Sequence, residues 1–232
     1  ALEVAAAGGH NLLMVGPPGC GKTMLASRLP GILPPLTELE ALECTRVHAA
    51  GREWSGVESV LTERPFRAPH YSASTAAMVG NRNLRPGEAS LAHNGVLFLD
   101  EFPEFRRDVR EALRLPLEER QISLSFSSGS ATFPANFSLV AAANVCPCGH
   151  SGHPRLPCTC HPSQRMRYRE RFSGPILDRI DLRVDLEPVA GGGLLQASPA
   201  ECSASVGERV LRARKMQYAR NGDGISNAAV PV

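Results

Sequence analysis

The chain has 232 residues, 43% hydrophobic and 21% charged, the balance of a soluble globular protein with one large or two small domains. A net charge of +2 is too small to argue for a nucleic-acid partner by itself, so any basic surface has to be local. No run approaches about eighteen apolar residues, and no charged segment precedes an apolar core at the N-terminus, which argues against a membrane span and a secretory signal.

Ala1 rather than Met opens the chain, so a fragment or processed form is expected. Asn11–Val15 is mostly apolar and reads as a buried strand. It runs into Gly16-Pro17-Pro18-Gly19-Cys20-Gly21-Lys22-Thr23, which fits the pattern G-x-x-x-x-G-K-[ST]. Met24–Leu29 continues as a helix that Pro30 stops. Strand, loop and helix in that order are the setting a phosphate-binding loop requires. Its glycines let successive N–H groups face one anion, and the helix N-terminus adds partial positive charge. Lys22 then reaches the β- and γ-phosphates, and the Thr23 hydroxyl binds magnesium. The competing reading is a glycine-rich turn that matches by chance. Cys20 either fills a variable position or is a thiol whose oxidation hinders nucleotide binding.

Ile32–Leu36 is a rigid connector, and Thr37 with Glu40 forms a capping box that opens a helix to about Ala50. Gly51 to Asn94 lacks sustained periodicity and is expected to be an insertion of loops, with or without a short hairpin. Gly95–Leu99 reads as a strand covered on both faces and ends in Asp100-Glu101. Phe105, Val109 and Leu113 form a helical stripe, with Pro116 kinking or ending it. Gln121–Phe126 alternates as a strand, Ser127-Ser128-Gly129 turns, and Ala131–Phe133 returns beside it. Phe137–Ala143 is another buried strand, ending at Asn144. Gln164–Phe172 is a basic helix, and Ile180–Leu186 alternates as a half-exposed edge strand. Gly191–Gly193 is a joint, followed by a basic helix from Ser205 to Arg220 with Asn221-Gly222 at its end. Strands alternating with helices predict an α/β fold with a parallel central sheet.

Ligands of such sheets bind at the carboxyl ends of the strands. Three of the expected strands deliver polar groups there: the phosphate-binding loop, Asp100-Glu101 and Asn144. That set suits ATP hydrolysis, with Asp100 holding magnesium through its water shell, Glu101 as general base and Asn144 orienting the water or touching the γ-phosphate. Taken singly, the acidic pair reads equally as a solvated strand end and Asn144 as a turn residue. Of seven cysteines, Cys146, Cys148, Cys158 and Cys160 fall in one short segment. Four thiolates suit a structural zinc, and a nucleotide-dependent enzyme belongs in a reducing compartment. Each pair is C-x-C, tighter than the usual C-x-x-C, and His150, His153 or His161 could replace one thiolate. The alternative is free or disulfide-linked cysteines in a loop.

The phosphate-binding loop, the Gly95–Glu101 run, the Asn144 strand and Leu177-Asp178-Arg179-Ile180-Asp181 resemble the AAA+ ATPases. Pro65–His70, Pro86–His93, Cys146-Pro147-Cys148-Gly149 and the same Leu177–Asp181 run resemble more narrowly the magnesium-chelatase-like branch and its ComM-like group. The resemblance extends to about Arg220. It implies a P-loop NTPase three-layer sandwich, the AAA+ core, over residues 1–190. Within it would lie a helix-2 insertion over 51–94, a hairpin before the sensor strand over 121–133 and a cysteine-rich loop over 146–160. A linker over 191–197 and the start of a helical lid over 198–232, truncated, would follow.

The resemblance further implies a cytoplasmic, magnesium-dependent ATPase that assembles as a homo-oligomer, a hexameric ring, on single-stranded or branched DNA. The activity implied is a branch-migration helicase in natural transformation. The rival is the ATPase subunit of a metal-chelatase-like complex that remodels a protein partner, and a second rival is a nucleotide-gated assembly switch. Arg179 matches the arginine that reaches the γ-phosphate held by a neighbour. Within its own subunit it would instead pair with Asp178 or Asp181. The insertion, with Arg82, Asn83 and Arg85, and the hairpin, with Ser127, Ser128 and Ser130, match loops that touch DNA in related helicases. Both read otherwise as solvated loops. The late helix carries Arg209, Arg212, Arg214, Lys215 and Arg220, which face DNA, a neighbour or solvent while Val206, Val210 and Leu211 pack.

Overall fold

The computed structural model describes residues 1–51, 60–127, 129–153, 155–172, 174, 176–188, 201–222 and 224–230. The expected linker over 191–197, the joint at Gly191–Gly193 and Ser128 lie outside the described residues. A five-stranded parallel sheet forms the middle layer. Its strands are β1 (Leu12–Val15), β2 (Phe66–Arg67), β3 (Val96–Leu99), β6 (Ser138–Ala143) and β7 (Leu182–Asp185), in the order β2-β3-β6-β1-β7. β4 (Gln121–Phe126) and β5 (Gly129–Pro134) form a separate antiparallel hairpin.

Residue alternation along the strands sorts two apolar cores onto opposite faces. Leu13, Val15, Leu97, Leu99, Leu139, Ala141 and Ala143 face the first, where Phe102, Phe105, Val109, Leu113 and the hairpin residues Ile122 and Leu124 close over them. Leu12, Met14, Val96, Phe98, Val140 and Ala142 face the second, covered by Ala5, Ala6, Ala26, Leu29, Ile32 and Val210. The sandwich is thus the expected three-layer α/β fold. β7 closes one edge with Leu182 and Val184 half-buried and Arg183 and Asp185 exposed, as its alternation implies.

Four elements fall where periodicity gave nothing. α1 (Leu2–Gly8) packs Ala5 and Ala6 on the sheet. β2 lies between Pro65 and Pro69, too short for any repeat, and seats Phe66 against Phe98 with ring centroids 6.0 Å apart. No hairpin forms among the described residues of 51–94. Besides β2 they make α4 (Thr75–Val79), with Ser74 capping its N-terminus, and α5 (Glu88–Leu91).

The capping box opens α3 (Glu38–Gly51) as expected: Thr37 N–H donates to Glu40 at 2.8 Å, and Glu40 N–H donates to Thr37 Oγ1 at 3.2 Å. Pro116, by contrast, ends nothing. The break falls earlier, at Leu113, between α6 (Arg107–Ala112) and α7 (Arg114–Glu119). Pro116 sits in the first turn of α7, where a missing N–H has no intrahelical acceptor to lose. α8 begins two residues before the expected start, at Pro162 (Pro162–Glu170), because the His161 side chain supplies its N-cap.

The late basic helix is α9 (Ser203–Asn221). Two of its four arginines are occupied with α1. Arg209 pairs with Glu3 and Glu201, Arg214 donates to the Ala6 carbonyl at 2.8 and 3.0 Å, and Gln217 donates to Ala7 at 3.0 Å. These bonds satisfy carbonyls that the end of a helix leaves without partners. Val210 is fully buried, while Val206 and Leu211 are half-buried.

Candidate functional site

β3, β6 and β1 are neighbours in the sheet, so their carboxyl ends lie side by side, about 5 Å from one strand to the next. From β1, which lies between β6 and the edge strand β7, comes the Gly16–Thr23 loop, which feeds α2 (Lys22–Arg28). Gly19 and Gly21 take φ of +77 and +87°, conformations that favour glycine and let the loop curl. Gly16 is needed for space: a Cβ there would stand 2.8 Å from Cys20 Sγ and 2.9 Å from Leu186 on the far side. Gly16 N–H also donates to Ala143 at 3.1 Å, which locks the loop to the end of β6.

Lys22 is buried inside this curl at 8% exposure. Its ammonium donates to Gly16 O and Pro17 O, both at 2.8 Å, and to Asn144 Oδ1 at 3.1 Å. The sulfur of buried Cys20 lies 3.7 Å from the same nitrogen. Thr23 Oγ1 donates to Asp100 Oδ2 at 2.8 Å, which places a hydroxyl and a carboxylate together, hard oxygens that suit Mg²⁺. Glu101 follows with an exposed side chain and a backbone in the left-handed region, φ 52 and ψ 41°. Its N–H donates to Asp100 Oδ1 at 2.9 Å. A non-glycine residue held there marks imposed strain, which clusters at functional sites.

Arg179 lies elsewhere. It closes a short 3-10 turn, Leu177–Arg179, just before β7, at the amino end of the sheet. The Gly16–Thr23 loop leaves the opposite end, a strand length of about 13 Å away. Its partner is neither Asp178 nor Asp181 but Glu118 on α7, at 2.6 and 3.1 Å. Glu118 is held below its ordinary carboxylate range by hydrogen bonds from Arg114 and Arg179. Asp181 instead accepts the Asn11 N–H at 2.7 Å. The Asn11 side chain also donates to Arg179 O at 2.8 Å and accepts from Leu139 N–H at 2.8 Å. Asn11 was therefore missed as a positioning residue; a polar residue opening a buried strand was the available signal. A cleft of about 660 Å³ lined by Asn11, Glu118, Arg120, Asp178 and Arg179 opens here.

The two loops expected to meet DNA touch each other. Leu84, in the Asn81–Arg85 turn, packs against the tip of the hairpin at Gly129, and Gly80 leaves room for Leu124. Arg82, Asn83, Ser127 and Ser130 are exposed along this joint edge, and Arg85 is half-buried.

The four cysteines converge. All four Sγ atoms lie within 4.8 Å of one another, with Cys146 to Cys148 at 3.5 Å, Cys148 to Cys158 at 3.6 Å and Cys146 to Cys158 at 3.8 Å. None forms a disulfide, which would need about 2.05 Å. Backbone N–H groups at His150 and Thr159 help hold the Cys148 thiol down to about 5, while burial pushes Cys160 up to about 12. Two of the three nearby histidines are engaged otherwise: His161 caps α8, and His153 Nδ1 accepts from the N–H groups of Arg155 and Leu156, while His150 Nδ1 is buried without a hydrogen-bond partner among the described residues.

A family model described as magnesium chelatase, subunit ChlI, matches residues 1–194. The chain belongs to this ChlI family. Among its relatives, YifB of Salmonella typhimurium is 52% identical over 94% of the chain. Competence protein ComM of Haemophilus influenzae is 50% identical over 96% of it. The chain spans 43% of the length of each of these curated relatives. A shorter likeness reaches DNA replication licensing factor mcm7 of Schizosaccharomyces pombe, 31% identical over 137 residues, 59% of the chain and 15% of that protein. Membership of the ChlI family and the likeness to ComM support an ATPase. Among the described residues no helix is long and apolar enough to cross a membrane.

Proposed function

We propose that this chain is the Mg-ATP-hydrolysing core of a cytoplasmic ring motor, a homo-oligomer and in the hexameric form a branch-migration helicase that acts on DNA in natural transformation. The observation that carries the reading is the meeting of three adjacent strand ends through the Lys22–Asn144 and Thr23–Asp100 contacts. Lys22 would hold the β- and γ-phosphates with the donors that now bond Gly16, Pro17 and Asn144. Thr23 and Asp100 would hold Mg²⁺, which neutralises phosphate charge. Glu101, free in solvent beside them, takes the proton of the attacking water, and Asn144 orients that water. Gly16, Pro17, Pro18, Gly19, Cys20 and Gly21 supply the backbone cradle.

Arg179 cannot serve the loop of its own chain from the far end of the sheet, so it completes the site of a neighbour, and the Arg179 cleft is where that neighbour docks. The exchange releases it from Glu118. The joined edge of the 81–85 turn and the hairpin tip would face DNA, with Arg82, Asn83 and Ser127 toward phosphates. Residues 1–190 act as the core and 198–232 as the beginning of a lid. The four cysteines form a closed thiolate set that suits a structural Zn²⁺ rather than a reactive one.

The likeness to a competence protein and to a DNA replication licensing factor favours DNA. The ChlI family model favours a second reading, an ATPase subunit that remodels a protein partner in a metal-chelatase-like complex. ATP turnover of the full-length protein, measured with and without single-stranded and branched DNA, separates the two. Stimulation that falls steeply with added salt supports the helicase. Turnover indifferent to DNA but dependent on a protein partner supports the rival.

A further inference from the structure

The cysteine loop is tied to the nucleotide end of the sheet at three points. Cys146 stands two residues beyond Asn144, whose side chain bonds Lys22. Gly149 is buried at φ +81°, and a Cβ there would stand 2.4 Å from Pro18 Cδ and 2.6 Å from Pro18 Cγ. The loop backbone therefore lies directly against the proline ring of the phosphate-binding loop. Beyond Cys160, α8 brings back Tyr168, 5% exposed, to hydrogen-bond the backbone of Asn144.

This loop has too little apolar content to hold a shape by burial, and its Leu156 is exposed. The sulfurs are what converge. A tetrahedral thiolate site with metal–sulfur bonds of about 2.3 Å sets neighbouring sulfurs about 3.8 Å apart. The sulfurs of Cys146, Cys148 and Cys158 stand 3.5 to 3.8 Å apart, which fits that figure, and the Cys160 sulfur lies within 4.8 Å of all three. Cys148 N–H and Ser151 N–H donate to the sulfurs of Cys160 and Cys146, each at 3.3 Å, the outer bonds that steady thiolate ligands.

We propose that Cys146, Cys148, Cys158 and Cys160 bind one Zn²⁺, and that the loop so fixed braces the phosphate-binding loop through Gly149 on Pro18, making nucleotide affinity depend on metal occupancy. Binding releases the thiol protons to solvent. The brace rests on the nucleotide reading above; the metal site stands without it.

Zinc content and the absorption of the Co²⁺-loaded form are measured on the full-length protein. About one zinc per chain and a thiolate-to-cobalt charge-transfer band with tetrahedral visible bands are expected. Protein prepared without chelator that carries no zinc, or an octahedral cobalt spectrum, overturns the site. The double variant Cys158→Ser, Cys160→Ser loses the metal; retention overturns the ligand set. Gly149→Ala keeps all four sulfurs and the zinc but weakens binding of a fluorescent ATP analogue roughly tenfold. Pro18→Ala reaches the same contact from the other side, keeps the zinc and lowers affinity in the same direction. Full affinity in both zinc-loaded variants overturns the brace. Zinc-loaded wild type that ignores adenine nucleotide removes the nucleotide reading and the brace together, while the cobalt spectrum still upholds the metal site.

Discussion

Glu101 keeps its left-handed backbone at a cost of about 1–3 kcal/mol that asparagine would largely avoid. Glu101→Asn should therefore unfold no more readily than wild type in urea. Glu101→Gln should still bind ATP and turn over roughly 100-fold more slowly or worse. A Gln variant that hydrolyses ATP at the wild-type rate would remove the general base from the scheme. His93 makes a second residue-scale case. Asn136 N–H donates to its Nδ1 at 3.1 Å, which leaves Nε2 to carry the proton toward Glu43 at 3.2 Å. Burial holds its pKa below the ordinary 6.5 despite that carboxylate. Below about 6.5 the unfolded chain takes up the proton more readily than the folded one. This contribution to stability is whole above 6.5 and drains away as pH falls toward the folded value. Urea midpoints at about pH 7.5 and 5.5 should diverge for wild type and diverge less for His93→Gln.

Between residues and the fold stand the elements, and their ends follow local rules that can be tested one by one. Thr37→Ala removes a cap that bonds Glu40 N–H and should cost about 1 kcal/mol. Pro116→Ala should change stability by far less than the ~3 kcal/mol of an interior proline, because the ring sits in the first turn of α7. A large loss on removing Pro116 would place the α6–α7 break under proline control after all. Several elements were legible in the sequence: β1, β3 and β6 stand where continuous apolar runs put them, the hairpin where alternation does and α3 where its capping box does. α1, β2, α4 and α5 were illegible, since a two-residue strand and helices of four or five residues carry no repeat, and α1 ends in a run of small residues, Ala5-Ala6-Ala7-Gly8. Three polar strand ends could be read, but their order in the sheet could not, because β3, β6 and β1 become neighbours only through crossovers. The Gly149–Pro18 contact was equally hidden, being a matter of packing between loops far apart in sequence.

For the whole molecule, the small net charge means that the proposed attraction to DNA would have to come from one edge rather than from the general field. Replacing Arg82 with Ala should weaken DNA stimulation and flatten its salt dependence while leaving basal ATP turnover intact. Turnover per chain should rise with protein concentration, because a lone chain presents its arginine and its phosphate-binding loop at opposite ends of the sheet. A rate per chain that stays constant on dilution below assembly would rule out the exchange of Arg179 between subunits.

That opposition has an arithmetic consequence for mixtures. In the proposed ring, every junction would draw its arginine from one polypeptide and its lysine from the next. Doping wild type with Arg179→Ala chains spoils one junction per defective copy, so the surviving junctions decline in proportion to the dose. A polypeptide carrying both Arg179→Ala and Lys22→Ala fails in two directions at once, and the intact junctions then fall as the square of the wild-type fraction. Curvature in the double-variant titration would thus show that the arginine and the lysine of one junction come from different chains, and a straight line that they come from the same one.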